Sequence, residues 1–136
     1  MPNKKHAPSK LAVYQAKDGA IELRDDINHY TIWASLDQIA NIFGRDKSVI
    51  SRHIRNIIAS EELVRSSVVA FFATTANDGK TYNVEYFNLD MILSVGYRVN
   101  SKQATYFRKW ATKILKQHIT KVPLILKRLL IIISSF

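Results

Sequence analysis

One short stretch of this chain gathers Arg45, Lys47, Ser48, Ser51, Arg52 and Arg55. On a helix, at about 100° per residue, the last five fall within an arc of about 140°. Arginine forks pair with guanine O6/N7 or with phosphate oxygens, and serines near a helix start suit phosphate. A solvated helix face ordinarily mixes signs and gains from i,i+4 pairs, whereas this arc holds no acid. The chemistry this predicts is recognition of a polyanion, duplex DNA above all. Arg45, ahead of the helix, and Lys80, in a later turn, are further candidates to reach phosphates, with simple solvation as the plainer account of each.

Residues for covalent or metal chemistry are scarce. The chain has no cysteine, which excludes disulfide scaffolds, zinc–thiolate sites, iron–sulfur clusters and cysteine nucleophiles. Its glycines, at 19, 44, 79 and 96, are too dispersed for a phosphate-cradling loop. His6, His29, His53 and His118 show no ligand spacing, and His118 reads as a core histidine on the apolar face of its helix. A metal-dependent nuclease needs clustered carboxylates. Asp78 and Glu85 come nearest to a cluster, but no lysine stands two residues after Glu85, and a turn accounts for Asp78. The expectation is no enzyme, no cofactor, no metal and no small-molecule substrate.

The basic arc needs a scaffold, and the flanking sequence supplies signals for one. Ser35-Leu36-Asp37-Gln38 has the spacing of a capping box, and Leu36, Ile39, Ala40 and Phe43 recur at helical period up to Gly44, a C-terminal stop. Asp46 caps a second helix over 47–58, with Ile50, Ile54, Ile57 and Ile58 as its buried stripe. Two helices joined by about three residues outline a helix-turn-helix. Strand patterns follow at 68–74 and 81–87 around Asn77-Asp78-Gly79-Lys80, a hairpin signal. In 81–87, Tyr82, Val84 and Tyr86 alternate with Thr81, Asn83, Glu85 and Phe87; Tyr82, Tyr86, Phe71 and Trp110 read as core.

Short strands are predicted at 11–15, 21–24 and 30–33, with a turn at Lys17-Asp18-Gly19. Asn88 caps a helix over 89–97, and Ser101 caps one running from 102 to about 120. In the latter, Phe107, Trp110, Ala111, Ile114 and His118 share one face, and Lys102, Lys109, Lys113 and Lys116 share another. The fold class is therefore α+β: a winged helix-turn-helix with a short N-terminal β element and two C-terminal helices.

Length and charge agree with a single binding domain. A chain of 136 residues, 47% apolar, suffices for one core. Its net charge of +9 is concentrated at the ends: residues 1–17 carry four bases and no acid, and 91–136 carry nine bases and no acid. That asymmetry favours nucleic acid or an anionic membrane. Residues 1–10 read as a disordered lead-in without an apolar signal segment. The apolar runs of 122–136 are too short for a transmembrane span, and a cytoplasmic location is expected.

The string SLDQIANIFGRDKSVISRHIRN at 35–56, then VVAFFATTANDGKTYNVEYFNLDMILSVGYRVNS at 68–101 and FRKWATKIL at 107–115, resembles the RhuM family of virulence-associated bacterial proteins. The resemblance covers about 11–121, and FNLD and SVGYRVNS carry it most distinctively. It implies a bacterial protein of mobile genomic segments whose relatives, where described, are candidate DNA-binding proteins; it implies no reaction. Relatives continue past the ATKIL helix, so 122–136 reads as an unrelated tail left by a frameshift or early stop. Expected partners are duplex DNA and, as for many helix-turn-helix proteins, a second copy of the chain. Two alternatives stand beside this: a virulence or toxin-like effector whose helix-turn-helix binds a protein, and peripheral membrane association through the lysine-rich helix and tail.

Overall fold

The computed structural model describes residues 4–5, 10–26, 29 and 31–119. Its strands are β1 (Lys4–Lys5), β2 (Lys10–Ala16), β3 (Gly19–Asp26), β4 (Thr31–Ser35), β5 (Val69–Thr75) and β6 (Thr81–Asn88). Its helices are α1 (Leu36–Phe43), α2 (Lys47–Ala59), α3 (Arg65–Val68), α4 (Leu89–Val99) and α5 (Lys102–Ile119). Strands β2 to β6 form an antiparallel sheet, and β1 adds in parallel at the β5 edge, giving the order β1-β5-β6-β4-β3-β2.

Local chemistry explains most element boundaries. Ala16 pairs with Gly19 across the two-residue turn, where Gly19 has φ +142°. Ser35 ends β4 and caps α1: its Oγ accepts from Gln38 N at 3.3 Å while Gln38 Oε1 accepts from Ser35 N at 3.0 Å. Gln38 Nε2 also donates to Glu22 O at 2.8 Å, tying the start of α1 to β3. Gly44 closes α1 in the left-handed region at φ 63°. Asn88 Oδ1 caps α4 by accepting from Met91 N at 3.2 Å, and Thr31 Oγ1 accepts from Leu89 N at 3.0 Å, joining α4 to β4.

The helices cover one face of the sheet. Leu23, Ile32, Ala34 and Phe87 meet Ile39 and Phe43 of α1, Ile50, Ile54 and Ile57 of α2, Met91, Ile92 and Val95 of α4, and Phe107 and Ala111 of α5. Each large apolar side chain buried in this way contributes about 1.5–3 kcal/mol of transfer free energy. Tyr14 stands edge-on to Phe107 and Trp110, with ring centroids 5.2 Å from each. A smaller cluster, Trp33, Ala70, Phe72 and Tyr86, is also buried, and the Arg24 guanidinium lies 5.1 Å from the Tyr86 ring centroid.

The structure amends several expectations. Within 1–10, expected as a disordered lead-in, Lys4 and Lys5 pair with Phe71 and Phe72, and Lys10 opens β2. Between α2 and β5, where no further helix was expected, stands α3, a single turn whose capping residue Val64 makes no side-chain hydrogen bond. Tyr82 is not core: it is 47% exposed. Strand β4 pairs with β6 only from Tyr86 to Asn88, so the outer part of β6 has β5 as its one pairing partner and projects as a two-stranded ribbon. Phe71, Trp110 and Ile114 are half-buried, and the side chain of His118 lies outside the described residues, as does segment 122–136. The α+β class stands.

Candidate nucleic-acid interface

Helix α2 starts where sequence predicts and runs one residue further. Asp46 caps it, its Oδ2 accepting from Ser48 N at 3.0 Å and from the Ser48 hydroxyl. Those bonds hold the Asp46 carboxyl below its ordinary pKa, with the Ser48 hydroxyl the largest cause. The cap therefore commits Ser48 Oγ as a donor to a carboxylate. Ile50, Ile54 and Ile57 seat the helix on the core, and α1 and α4 pack beside it.

The six clustered side chains divide into two groups. Lys47, Ser48 and Ser51 line a cleft of about 490 Å³ with Ser35, Leu36, Asp37 and the β6 residues Val84 and Glu85. Lys47 Nζ there lies 3.0 Å from Asp37 Oδ1, and Glu85 is bonded to Arg65. Arg52 and Arg55 stand exposed further along α2, and Arg45 is exposed in the turn, its Nη1 donating to Gly44 O at 3.4 Å. Among the described residues none of these three arginines is in an ion pair. Ser51 is half-buried, on the side of α2 that lines the cleft.

The hairpin tip is set apart. Ala76 to Lys80 close the turn, with Gly79 at φ 80° and Ala76 N donating to Lys80 O at 2.9 Å. Asp78 Oδ1 accepts from Lys80 N at 2.9 Å and Oδ2 from Tyr82 Oη–H at 2.6 Å. The Tyr82 bond, the larger cause, and the Lys80 amide keep the Asp78 carboxyl below its ordinary pKa. Lys80 is exposed, roughly 14 Å along the ribbon from the Val84–Glu85 wall at about 3.4 Å per residue. The structure thus brings Lys47, Ser48 and Ser51 to one cleft, aligns Arg52 and Arg55 beyond it, and leaves Lys80 outside it.

One residue of this surface escaped sequence reasoning, and a second was read only for its lack of ligand spacing. Asn56, one turn after Arg52, is exposed beside the arginines, and an amide there can pair bidentately with adenine. Its helical-wheel position, about 40° beyond Arg52, was the available signal. His53 is half-buried next to Arg98 of α4; burial first, then Arg98 and Arg52, hold its imidazole below the ordinary pKa. Among the described residues no group of three or more His, Asp or Glu side chains could hold a metal ion, and no helix is long and apolar enough to cross a membrane.

Residues 66–130 match the family model of the Virulence protein RhuM family. The resemblance seen in the sequence is borne out over that stretch, which takes in β5, β6, α4 and α5 and runs on past 121 into the apolar segment. Helices α1 and α2 precede the match. No curated protein and no solved structure matches the chain significantly.

Proposed function

We propose that this chain, which shares residues 66–130 with the Virulence protein RhuM family, is a non-catalytic duplex-DNA-binding protein that reads DNA through α2. The observation that carries the reading is the exposed face of α2, where Arg52 and Arg55 have no acidic partner among the described residues and Asn56 adjoins them. Supporting it, α1 and α2 are joined by the three residues Gly44, Arg45 and Asp46, the separation a helix-turn-helix requires. The β5–β6 hairpin that follows serves in this reading as the wing. In this reading Lys47, Ser48, Ser51, Arg52 and Arg55 face the major groove, and Arg45 and Lys80 contact the phosphate backbone.

One observation favours a second reading, a protein-binding effector. The cleft beside α2 carries Asp37 and Glu85 as well as Lys47, a mixed-sign lining better suited to a peptide than to a polyanion. Fluorescence anisotropy of labelled duplex across a salt series, with the full chain and its Arg52→Ala/Arg55→Ala variant, separates the two. The DNA reading requires a steep loss of affinity with salt, and a variant weaker by about 2 kcal/mol or more with a shallower slope. Weak binding that the variant leaves unchanged passes the lead to the protein partner.

A further inference from the structure

The longest helix presents a second cationic surface that the reading of α2 does not use. Helix α5 contains five bases and no acid. At about 100° per residue, Lys102, Tyr106, Lys109, Lys113 and Lys116 fall within an arc of about 80°. All five are exposed, Tyr106 at 61%. At about 1.5 Å per residue the row is roughly 21 Å long. Among the described residues none of the four lysines is in an ion pair.

Such a row works against the helix that carries it. Lys109 and Lys113 are spaced i,i+4 and Lys113 and Lys116 i,i+3, so each pair repels. Lys102 stands at the positive end of the helix dipole, where a cation is unfavourable. A bound polyanion relieves both costs. The start of α5 also stands near the α1–α2 turn: the Gln103 side-chain nitrogen lies 3.7 Å from where a Cβ on Gly44 would stand. Lys102 and Arg45 are the respective chain neighbours of these two residues, so the lysine row begins close to the α1–α2 turn.

We infer that the Lys102–Lys109–Lys113–Lys116 stripe is a second phosphate-contacting surface, following the sugar–phosphate backbone of duplex DNA flanking the segment read by α2. The placement of the duplex rests on the proposed reading of α2; the charge of α5 does not. A membrane fits this helix less well. Ala104, Phe107 and Ala111 are buried, and Trp110 and Ile114 pack against the core, so the described part of α5 has no free apolar face to insert.

The test uses the full chain, a 30-bp duplex, and vesicles of neutral and anionic phospholipid, measured across salt. Lys109→Ala/Lys113→Ala/Lys116→Ala is expected to weaken duplex binding at least tenfold near 0.1 M salt and to lower the log–log salt slope by about three, roughly one per lysine. Lys17→Ala, in the β2–β3 turn, is the control and is expected to leave the slope unchanged. An unaltered slope in the triple variant overturns the inference, and so does an equal loss per lysine in the control, which makes the charge generic. Loss of vesicle binding with duplex binding intact assigns the stripe to a membrane and also overturns it. If Arg52→Ala/Arg55→Ala has no effect while the lysine variant abolishes duplex binding, the reading of α2 fails and the α5 surface stands alone.

Discussion

Lys47 Nζ lies 3.0 Å from Asp37 Oδ1, so the first turn of α2 is tied to the first turn of α1 by an ion pair at the mouth of the cleft. Lys47 is therefore a cation already engaged, unlike Arg52 and Arg55. Both partners are well exposed, so breaking the pair changes stability by no more than about 1 kcal/mol. Its effect on binding is larger in kind. Asp37→Asn frees Lys47 and is expected to tighten duplex binding and steepen the salt slope by about one phosphate contact. Lys47→Ala is expected to cost less affinity than Arg52→Ala. Anisotropy titrations of the three variants check the order; a Lys47→Ala loss as large as that of Arg52→Ala would mean that DNA breaks the pair.

Gly96 shows how closely α4 approaches α1. A Cβ at Gly96 would stand 3.1 and 3.2 Å from two ring carbons of Phe43. Phe43 is 1% exposed and edge-on to Phe107, so its ring has little room to yield. Alanine in mid-helix gains about 1 kcal/mol over glycine. Overpacking a filled core costs about 1–3 kcal/mol. Gly96→Ala is expected to destabilise by about 1 kcal/mol net, read as a lower denaturant midpoint at unchanged m. A higher midpoint would show that the Phe43 ring can move.

What the sequence made legible was what neighbouring residues decide. The Ser35–Gln38 capping box, the Asp46 and Asn88 caps and the Asp78-Gly79 turn are contacts within a few residues, and each stands where the residue types predict. The misread features depend on distant partners. Tyr82 carries the aromatic alternation of a core strand, but β4 is too short to cover it, and only the pairing of β4 with β6 reveals that. Tyr86 and Phe87 lie on opposite sides of β6 and are both buried, because apolar clusters occupy both faces of the sheet there. At the interface, the arc of cations was legible from helical period. The diversion of Lys47 to Asp37 depends on how α1 and α2 cross, and periodicity within one helix says nothing about that.

Asp26 gives the fold a pH dependence on the acid side. Its Oδ2 accepts from Trp33 Nε1 at 3.0 Å and lies 2.9 Å from His29 Nδ1. Burial pushes the carboxyl up, but the hydrogen bonds from Trp33 and His29 outweigh it and hold the pKa below the ordinary value. A carboxyl depressed in the fold contributes its stability in full above its unfolded pKa, and the contribution is lost as pH falls through the folded one. Asp26→Asn is expected to cost about 1–2 kcal/mol near pH 7. The gap between the two proteins should close as pH falls below the unfolded carboxyl's value of about 3.9 and on through the native carboxyl's lower one. Urea unfolding of both proteins across that range measures it; a gap independent of pH would mean that packing, not charge, sets the cost.

His53 offers a reporter at the opposite side of α2 from the cleft. Its imidazole is half-buried, and burial, Arg98 and Arg52 together favour the neutral form. A histidine depressed in the fold stabilises fully above its unfolded pKa of about 6.5, and that contribution declines as pH falls from there to the folded value. An NMR titration of His53 is therefore expected to give a pKa below that of a free imidazole. Arg98→Ala should raise it part of the way, because burial, the larger cause, remains. Duplex DNA should raise it too, because phosphates placed beside Arg52 offset the positive potential that disfavours protonation. A His53 pKa that moves with Arg98→Ala but ignores saturating duplex would place the phosphates away from Arg52, and with them the reading face of α2.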